Sequence, residues 1–244
     1  MQLIIKHSTE PELVLPINYQ HILQAIIYKG IECLPEYAKQ VHDYGYQNEK
    51  RSYKLFQFSQ LKGKYQIEQR KIIFFENVSF EVRSVDAQLI LTLKKYFEEN
   101  GICYGERRIE NVEVKLEDKT VEKDDILIKM KTPVTVHSTD CFTKRTFFFR
   151  PNDERFAELV NENFKRKYKA HKGVLPEENI DVEIIHLSEK DKFVTNYKGF
   201  YISGWYGIYR LKGNRKYLDF LYQTGIGDRN SQGFGMFDLK DMEG

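Results

Sequence analysis

The order in which hydrophobic periods alternate between Leu3 and Leu116 leaves few folds open to this chain. Residues 3–7 read as a strand. Pro16 then precedes a helical pattern over residues 17–31, with Ile22, Leu23, Ile26, Ile27 and Ile31 at helical spacing. A short helix over 34–42 should stop before Gly45. Strands are predicted near 54–61, 71–75 and 78–82, and a second long helix over 86–99. That helix turns Leu89, Leu93, Tyr96 and Phe97 inward and ends on the C-cap pair Asn100-Gly101. A closing strand at 108–116 alternates Ile109, Val112 and Val114. The sum is β-α-β-β-α-β, the ferredoxin-like order.

A charged stretch at 117–125 marks a boundary, giving an N-terminal domain 1–120 and a C-terminal domain 121–244. The second half opens with strands at 126–130, 134–136 and 146–149. A helix over 153–169 carries Phe156, Leu159, Val160, Phe164 and Tyr168 on one stripe, with Asn152 or Asp153 as its cap. Strands are expected at 180–185, 193–196, 200–205, 217–222 and 234–239. The fold class is therefore α+β: two tandem ferredoxin-like (RRM-like) βαββαβ domains, the second strand-rich with a C-terminal glycine-rich loop.

That loop is the most specific local feature. Gly225, Gly227, Gly233 and Gly235 enclose Arg229, Asn230, Ser231 and Gln232. Glycines allow positive φ and close approach, exposed amides cradle phosphate, and an arginine with small polar neighbours suits a phosphodiester chain. A dinucleotide fingerprint is excluded because Asn230 stands where its third glycine belongs, and no Gly-Lys-Ser/Thr makes a P-loop. The competing reading is a glycine-rich hairpin that only turns the chain.

Composition narrows the chemistry. Net charge is +2 over 244 residues, so nucleic-acid binding is not advertised globally; basic groups are local, at Arg70-Lys71, Lys144-Arg145 and Arg215-Lys216 among others. The three cysteines stand far apart without CxxC, which argues against a zinc ribbon or disulfide framework and fits a cytoplasmic protein. No apolar run approaches a membrane span, and the first residues read as a strand, not a signal peptide. The six histidines are scattered without ligand spacing, so no metal or other cofactor is expected. What remains is acid–base chemistry by His, Tyr and Lys. His21 and Tyr28 share a stripe of the first helix, His42 ends the second, and Lys54 opens a strand after Lys50-Arg51. By pattern alone Tyr28 also reads as a helix rim, His42 as a dipole partner and Lys54 as a solvated lysine.

Three segments in order change that balance: Leu15-Pro16-Ile17-Asn18-Tyr19 leading into Ile27-Tyr28-Lys29-Gly30-Ile31, then Lys54-Leu55-Phe56-Gln57-Phe58-Ser59, then the Gly225 to Met236 run. Together they resemble the Cas-six family of CRISPR-associated endoribonucleases over the whole chain. The resemblance implies metal-independent cleavage of precursor CRISPR RNA within repeats. The 2′-hydroxyl attacks the adjacent phosphorus, leaving a 2′,3′-cyclic phosphate and a 5′-hydroxyl. It maps a Tyr–His–Lys catalytic set onto Tyr28, His42 and Lys54. His42 or Tyr28 serves as base or acid and Lys54 as phosphate stabiliser, with Lys50 or Arg51 as alternative cations and His21 in reserve. It gives Gly225, Gly227, Arg229, Asn230, Ser231, Gly233 and Gly235 to the RNA backbone, with Arg70, Lys71, Lys144 and Arg145 as candidates along the RNA path. Tyr201 and Trp205 are candidates for base stacking or core packing. The expected partner is CRISPR repeat RNA, single-stranded or hairpin, with a CRISPR effector complex or a second copy as further partners. Alternatives are a non-catalytic repeat-RNA-binding protein and a structural subunit of a CRISPR ribonucleoprotein.

Overall fold

The computed structural model describes residues 1–197 and 199–241. Strands β1 (Gln2–Ser8) and β2 (Leu13–Pro16) lead into α1 (Gln20–Ile31) and the short α2 (Pro35–Lys39). Next come a hairpin of β3 (Tyr46–Asn48) and β4 (Arg51–Tyr53), then β5 (Phe56–Phe58), β6 (Lys62–Glu68), the long β7 (Lys71–Ser84) and α3 (Ala87–Asn100). A small hairpin, β8 (Ile102–Tyr104) and β9 (Arg107–Ile109), precedes β10 (Val112–Glu117).

β7 is the axis of this half. One side of it carries β1, with Leu3 opposite Val82, and β2, with Leu13 opposite Phe74. The other side carries β5 and β6, and β10 closes the far edge of β1. The order β10-β1-β7-β6 is the antiparallel fourth-first-third-second arrangement of a ferredoxin-like sheet. Leu23 and Ile27 of α1 join Leu93 and Phe97 of α3 in a core with Leu3, Ile5, Phe80 and Val82 of the sheet. Asp86 caps α3 by accepting from the Gln88 and Leu89 amides, so the helix starts where its apolar period does.

The second half repeats the plan. β11 (Asp125–Met130) is followed by a hairpin, β12 (His137–Thr139) and β13 (Thr146–Phe148), then α4 (Arg155–Lys172) and β14 (Asp181–His186). A second hairpin, β15 (Lys192–Tyr197) and β16 (Phe200–Trp205), precedes β17 (Ile208–Lys212), α5 (Arg215–Thr224) and β18 (Phe237–Lys240). The sheet order β14-β17-β11-β18 is again fourth-first-third-second, read from β18. The two tandem ferredoxin-like units expected from the sequence are present.

Several elements differ from expectation. Residues 217–222 form α5, not a strand. Tyr217, Leu218, Phe220, Leu221 and Tyr222 are all buried because α5 is covered on more than one side, so its apolar run shows no helical gap. The strand expected at 134–136 is a single bridge, Val134 to Trp205. The strands expected at 71–75 and 78–82 are one strand that passes through a positive φ of 64° at Glu76. Its partner β6 is almost wholly exposed, and its only apolar alternation is Tyr65 and Ile67, too short a period to read as a strand.

The halves are joined tightly. α5 packs against β5 and β7. Across that contact the Gln57 side-chain amide donates to the Tyr222 carbonyl at 2.7 Å, and the Tyr222 hydroxyl donates to Gln2 at 3.1 Å. Among the described residues no helix is long and apolar enough to cross a membrane.

Candidate active site and nucleic-acid cleft

Tyr28 sits on the shoulder of α1, beside the buried stripe of Leu23, Ile27 and Ile31. Its ring packs edge-on against Phe56 of β5 (5.8 Å between centroids) and against His42 (4.7 Å, 76° between planes). His42 is held by a wide turn. α2 runs into one π-type turn, Gln40–Tyr44, which Gly45 ends at φ 60°. Such turns displace a side chain from the regular helical face. The imidazole is 63% exposed, and its Nδ1 lies 2.7 Å from the Asp43 carboxylate. With the Nδ1–H donated there, Nε2 is the free lone pair.

Lys54 lies between β4 and β5, and its ammonium donates to the His42 carbonyl at 2.6 Å. The next residue, Leu55, is buried with φ at 51°. A branched aliphatic residue in the left-handed region is strained, and the packing around Leu55 holds the bend that aims Lys54. Burial lowers the Lys54 pKa, and Asp43 opposes that shift. Burial and the neighbouring Tyr197 push the Tyr28 phenol up to about 12, so it stays protonated at neutral pH. Tyr28, His42 and Lys54 are thus brought together by three separate elements. His21 is tied elsewhere, its Nδ1 2.8 Å from the Asn18 carbonyl.

The glycine-rich run is a closed loop between α5 and β18, not a hairpin. Its neck is the Ile226 amide donating to the Gly235 carbonyl at 2.9 Å. Gly235 has φ 78°, and a Cβ there would lie 2.0 Å from the Ile226 carbonyl, so only glycine closes the neck. Gly225, Gly227, Gly233 and Gly235 are all buried, and their work is to bend and pack the loop. Asn230 also turns inward. Its amide donates to the Ile226 and Phe234 carbonyls, and its oxygen accepts from Lys167 of α4 at 2.9 Å. Asp228, Arg229, Ser231 and Gln232 are the half-exposed members, and Arg229 and Ser231 face the cleft between the halves. The loop is stitched to α1 by Gln24, which donates to the Ser231 carbonyl at 2.6 Å and accepts from the Tyr197 hydroxyl.

Between the halves lies a cleft of about 300 Å³. Arg51 and Lys54 line it from the first half; Asn163, Lys167, Arg229 and Ser231 line it from the second. Lys54 is therefore shared by the cleft and the Tyr28–His42 pair. Lys50 is exposed in the β3–β4 turn. Arg70, Lys144 and Arg145 lie at exposed hairpin turns and Lys71 at an exposed strand start, while Tyr201 is exposed and Trp205 is buried in the second core.

The sequence reading did not find Asn163, Lys167, Tyr53, His137 or Asp228. A signal existed: Asn163 and Lys167 fall on the same stripe of α4 as Phe156 and Val160, polar residues on an apolar face. Lys167 donates to the Gly225 carbonyl at 2.6 Å, and its burial pushes its pKa down to about 7 against the pull of Asp228. Below about pH 7 both folded and unfolded chains carry this proton. Between there and about 10.4 the unfolded chain holds more of it, so stability rises with pH. Urea midpoints of the wild type and of Lys167→Met should therefore diverge between pH 7 and 10, the wild type gaining on the variant. Parallel curves would mean that Lys167 titrates as an ordinary surface lysine.

Among the described residues no group of three or more His, Cys, Asp and Glu is arranged to hold a metal ion. Comparison with known proteins bears on the whole arrangement. The CRISPR-associated endoribonuclease Cas6 1 of Methanocaldococcus jannaschii is 26% identical over 250 residues, covering 97% of this chain and 91% of that one. The CRISPR-associated endoribonuclease Cas6 of Pyrococcus furiosus is 24% identical over 256 residues, covering 97% and 88%. The solved product of a Cas6-related gene from Pyrococcus furiosus shares the fold with a TM-score of 0.79 at 20% identity, covering 100% of this chain and 99% of that one. The family model described as CRISPR associated protein Cas6, C-terminal, matches residues 116–239, the whole second ferredoxin-like unit with its glycine-rich loop. With just over half its length under that match, the chain belongs to the Cas6 family.

Proposed function

We propose that this chain cleaves precursor CRISPR RNA within its repeats, without a metal ion, by attack of a 2′-hydroxyl on the adjacent phosphorus. The observation that carries this reading is the meeting of Tyr28, His42 and Lys54 at the edge of a basic cleft between the domains 1–120 and 121–244. His42 takes the 2′-hydroxyl proton on Nε2, because Asp43 occupies Nδ1 and stabilises the imidazolium that forms. The Lys54 ammonium faces the charge that develops on the phosphorane. Tyr28, held protonated by its burial, gives its proton to the leaving 5′-oxygen as the P–O5′ bond breaks, and the proton gathered by His42 then restores the phenol. Arg229 and Ser231 hold the backbone of the same strand across the cleft. The products are a 2′,3′-cyclic phosphate and a 5′-hydroxyl. The curated relatives of M. jannaschii and P. furiosus, both endoribonucleases by name, support the assignment.

The test is cleavage of labelled repeat RNA in EDTA, alongside the same RNA with a single 2′-deoxy sugar before the scissile bond. The first should be cut at one position and the second left intact. A requirement for a divalent ion, or cutting of both RNAs, overturns the mechanism. Binding of both without cutting of either leaves the non-catalytic RNA-binding reading.

A further inference from the structure

The interdomain cleft contains polar atoms that the protein itself leaves unused. Asn163 is only 7% exposed. Its Nδ2 donates to the Asp228 carboxylate at 2.7 Å, which fixes the orientation of the amide. Its Oδ1 is buried, with no hydrogen-bond partner among the described residues. The Tyr53 hydroxyl is also buried at the cleft, beside the Arg51 guanidinium. Arginine only donates, so the hydroxyl hydrogen has nowhere to go within that pair. The Arg229 Nε is likewise buried and unpaired among the described residues.

Buried polar groups are normally satisfied, and each exception calls for an explanation. We propose that the cleft is a base-reading site. It takes one unpaired nucleobase of the repeat beside the cut, whose N–H group donates to Asn163 Oδ1 and whose acceptor receives the Tyr53 hydroxyl hydrogen. This rests on the endoribonuclease reading only for the identity of the strand that enters. The chemistry of the floor selects a base over a phosphate. An amide oxygen and the Asp228 carboxylate repel an anion, whereas an exocyclic amine or ring N–H satisfies the orphaned oxygen. The rim selects the rest of the nucleotide, because Arg51, Lys54 and Arg229 suit the phosphodiesters on either side of an inserted base. At about 300 Å³ the space matches a small-ligand site and excludes a duplex. The base must therefore be unstacked to enter, as in sequence-specific recognition of single-stranded RNA.

Asn163 is held by Asp228, and Asp228 accepts the His137 amide at 3.0 Å. The reader is thus attached to the base of the glycine-rich loop. A base seated on Asn163 is placed in the same cleft that Lys54 lines, so recognition at this site registers the neighbouring phosphate against the cut.

The experiment uses the full chain and repeat RNA made uncleavable by a single 2′-deoxy sugar. Each nucleotide near the cut is replaced in turn by an abasic residue. Adenosines and cytidines are also replaced by purine riboside and pyrimidin-2-one riboside, which lack the exocyclic amine, and uridines and guanosines by their ring N-methyl derivatives. One position should lose about tenfold in affinity when its base donor is deleted. Asn163→Ala should abolish that discrimination while leaving the other positions unchanged. Tyr53→Phe, which removes one oxygen and no packing, should reduce it at the same position. No sensitive position, or the same discrimination in the wild type and both variants, overturns the proposal. If discrimination is present but the all-ribose RNA is never cut, the base site stands and the nuclease reading falls.

Discussion

His42→Ala should lower the single-turnover cleavage rate by about 10²–10⁴-fold while RNA affinity stays within a few-fold of wild type. The asymmetry follows from where the ring sits. Its side chain is 63% exposed, touches Tyr28 edge-on and contributes little to the core, so its removal should change stability by no more than about 0.5 kcal/mol. The backbone carbonyl of residue 42, which receives Lys54, survives the substitution, so the lysine keeps its anchor. The loss would then belong to proton transfer and not to collapse of the site. Cleavage rates with saturating protein, binding to the 2′-deoxy RNA and a thermal melt separate the three quantities. A variant that folds, binds and still cuts at near the wild-type rate would remove His42 from the chemistry and leave Tyr28 and Lys54 without a base between them.

The first half was legible because its two long helices show one buried stripe each, and their spacing against the strands fixes the β-α-β-β-α-β order. α5 was not, because a helix buried on several sides shows continuous hydrophobicity, and Tyr217 to Tyr222 then read as a strand. Asn214 was the overlooked cue: its side chain caps α5 by accepting from the Lys216 amide. The proposed Tyr28–His42–Lys54 set came from family resemblance and not from local pattern. Each of the three residues has an ordinary local role, and the features that join them, a π-type turn and a strained Leu55, have no sequence signature. The glycine-rich run shows a different limit. Glycines that let a ligand approach and glycines that let the chain pack on itself are the same letters. Here Gly235 meets the Ile226 carbonyl, and the loop presents Arg229 and Ser231 while hiding Asn230.

Arg83→Ala should cost about 3–5 kcal/mol of stability, the largest effect expected for a residue outside the cleft. Arg83 lies at the end of β7, is 1% exposed, and makes its bonds across the junction of the halves. It donates to the Glu81 carboxylate at 2.5 Å on its own strand, to the Phe237 carbonyl at 2.6 Å and to Asp238 at 3.0 Å on β18. Its guanidinium also lies 4.0 Å from the Tyr222 ring centroid on α5. Truncation leaves Glu81 buried with Lys131 as its remaining cationic partner, and leaves the Phe237 carbonyl unpaired. Lysine cannot replace it, because a single ammonium cannot reproduce a planar fork that serves three acceptors while stacking on a ring. Breaking a buried pair costs far more than the pair contributes over an apolar substitute, so a bulky apolar replacement such as Arg83→Met should lose less than Arg83→Ala where Glu81 is also made Gln. Urea unfolding of these variants checks the size, and a shift in Arg83→Ala below about 1 kcal/mol would show that the junction relaxes without it. The consequence reaches the site. The cleft walls belong to different halves, with Lys54 on one and Arg229 on the other, so their spacing is set by whatever fixes β7 against β18. A chain whose halves shift at this junction loses the register between the wall proposed to hold RNA and the residues proposed to cut it, and Arg83→Ala should therefore weaken cleavage even at temperatures where it remains folded.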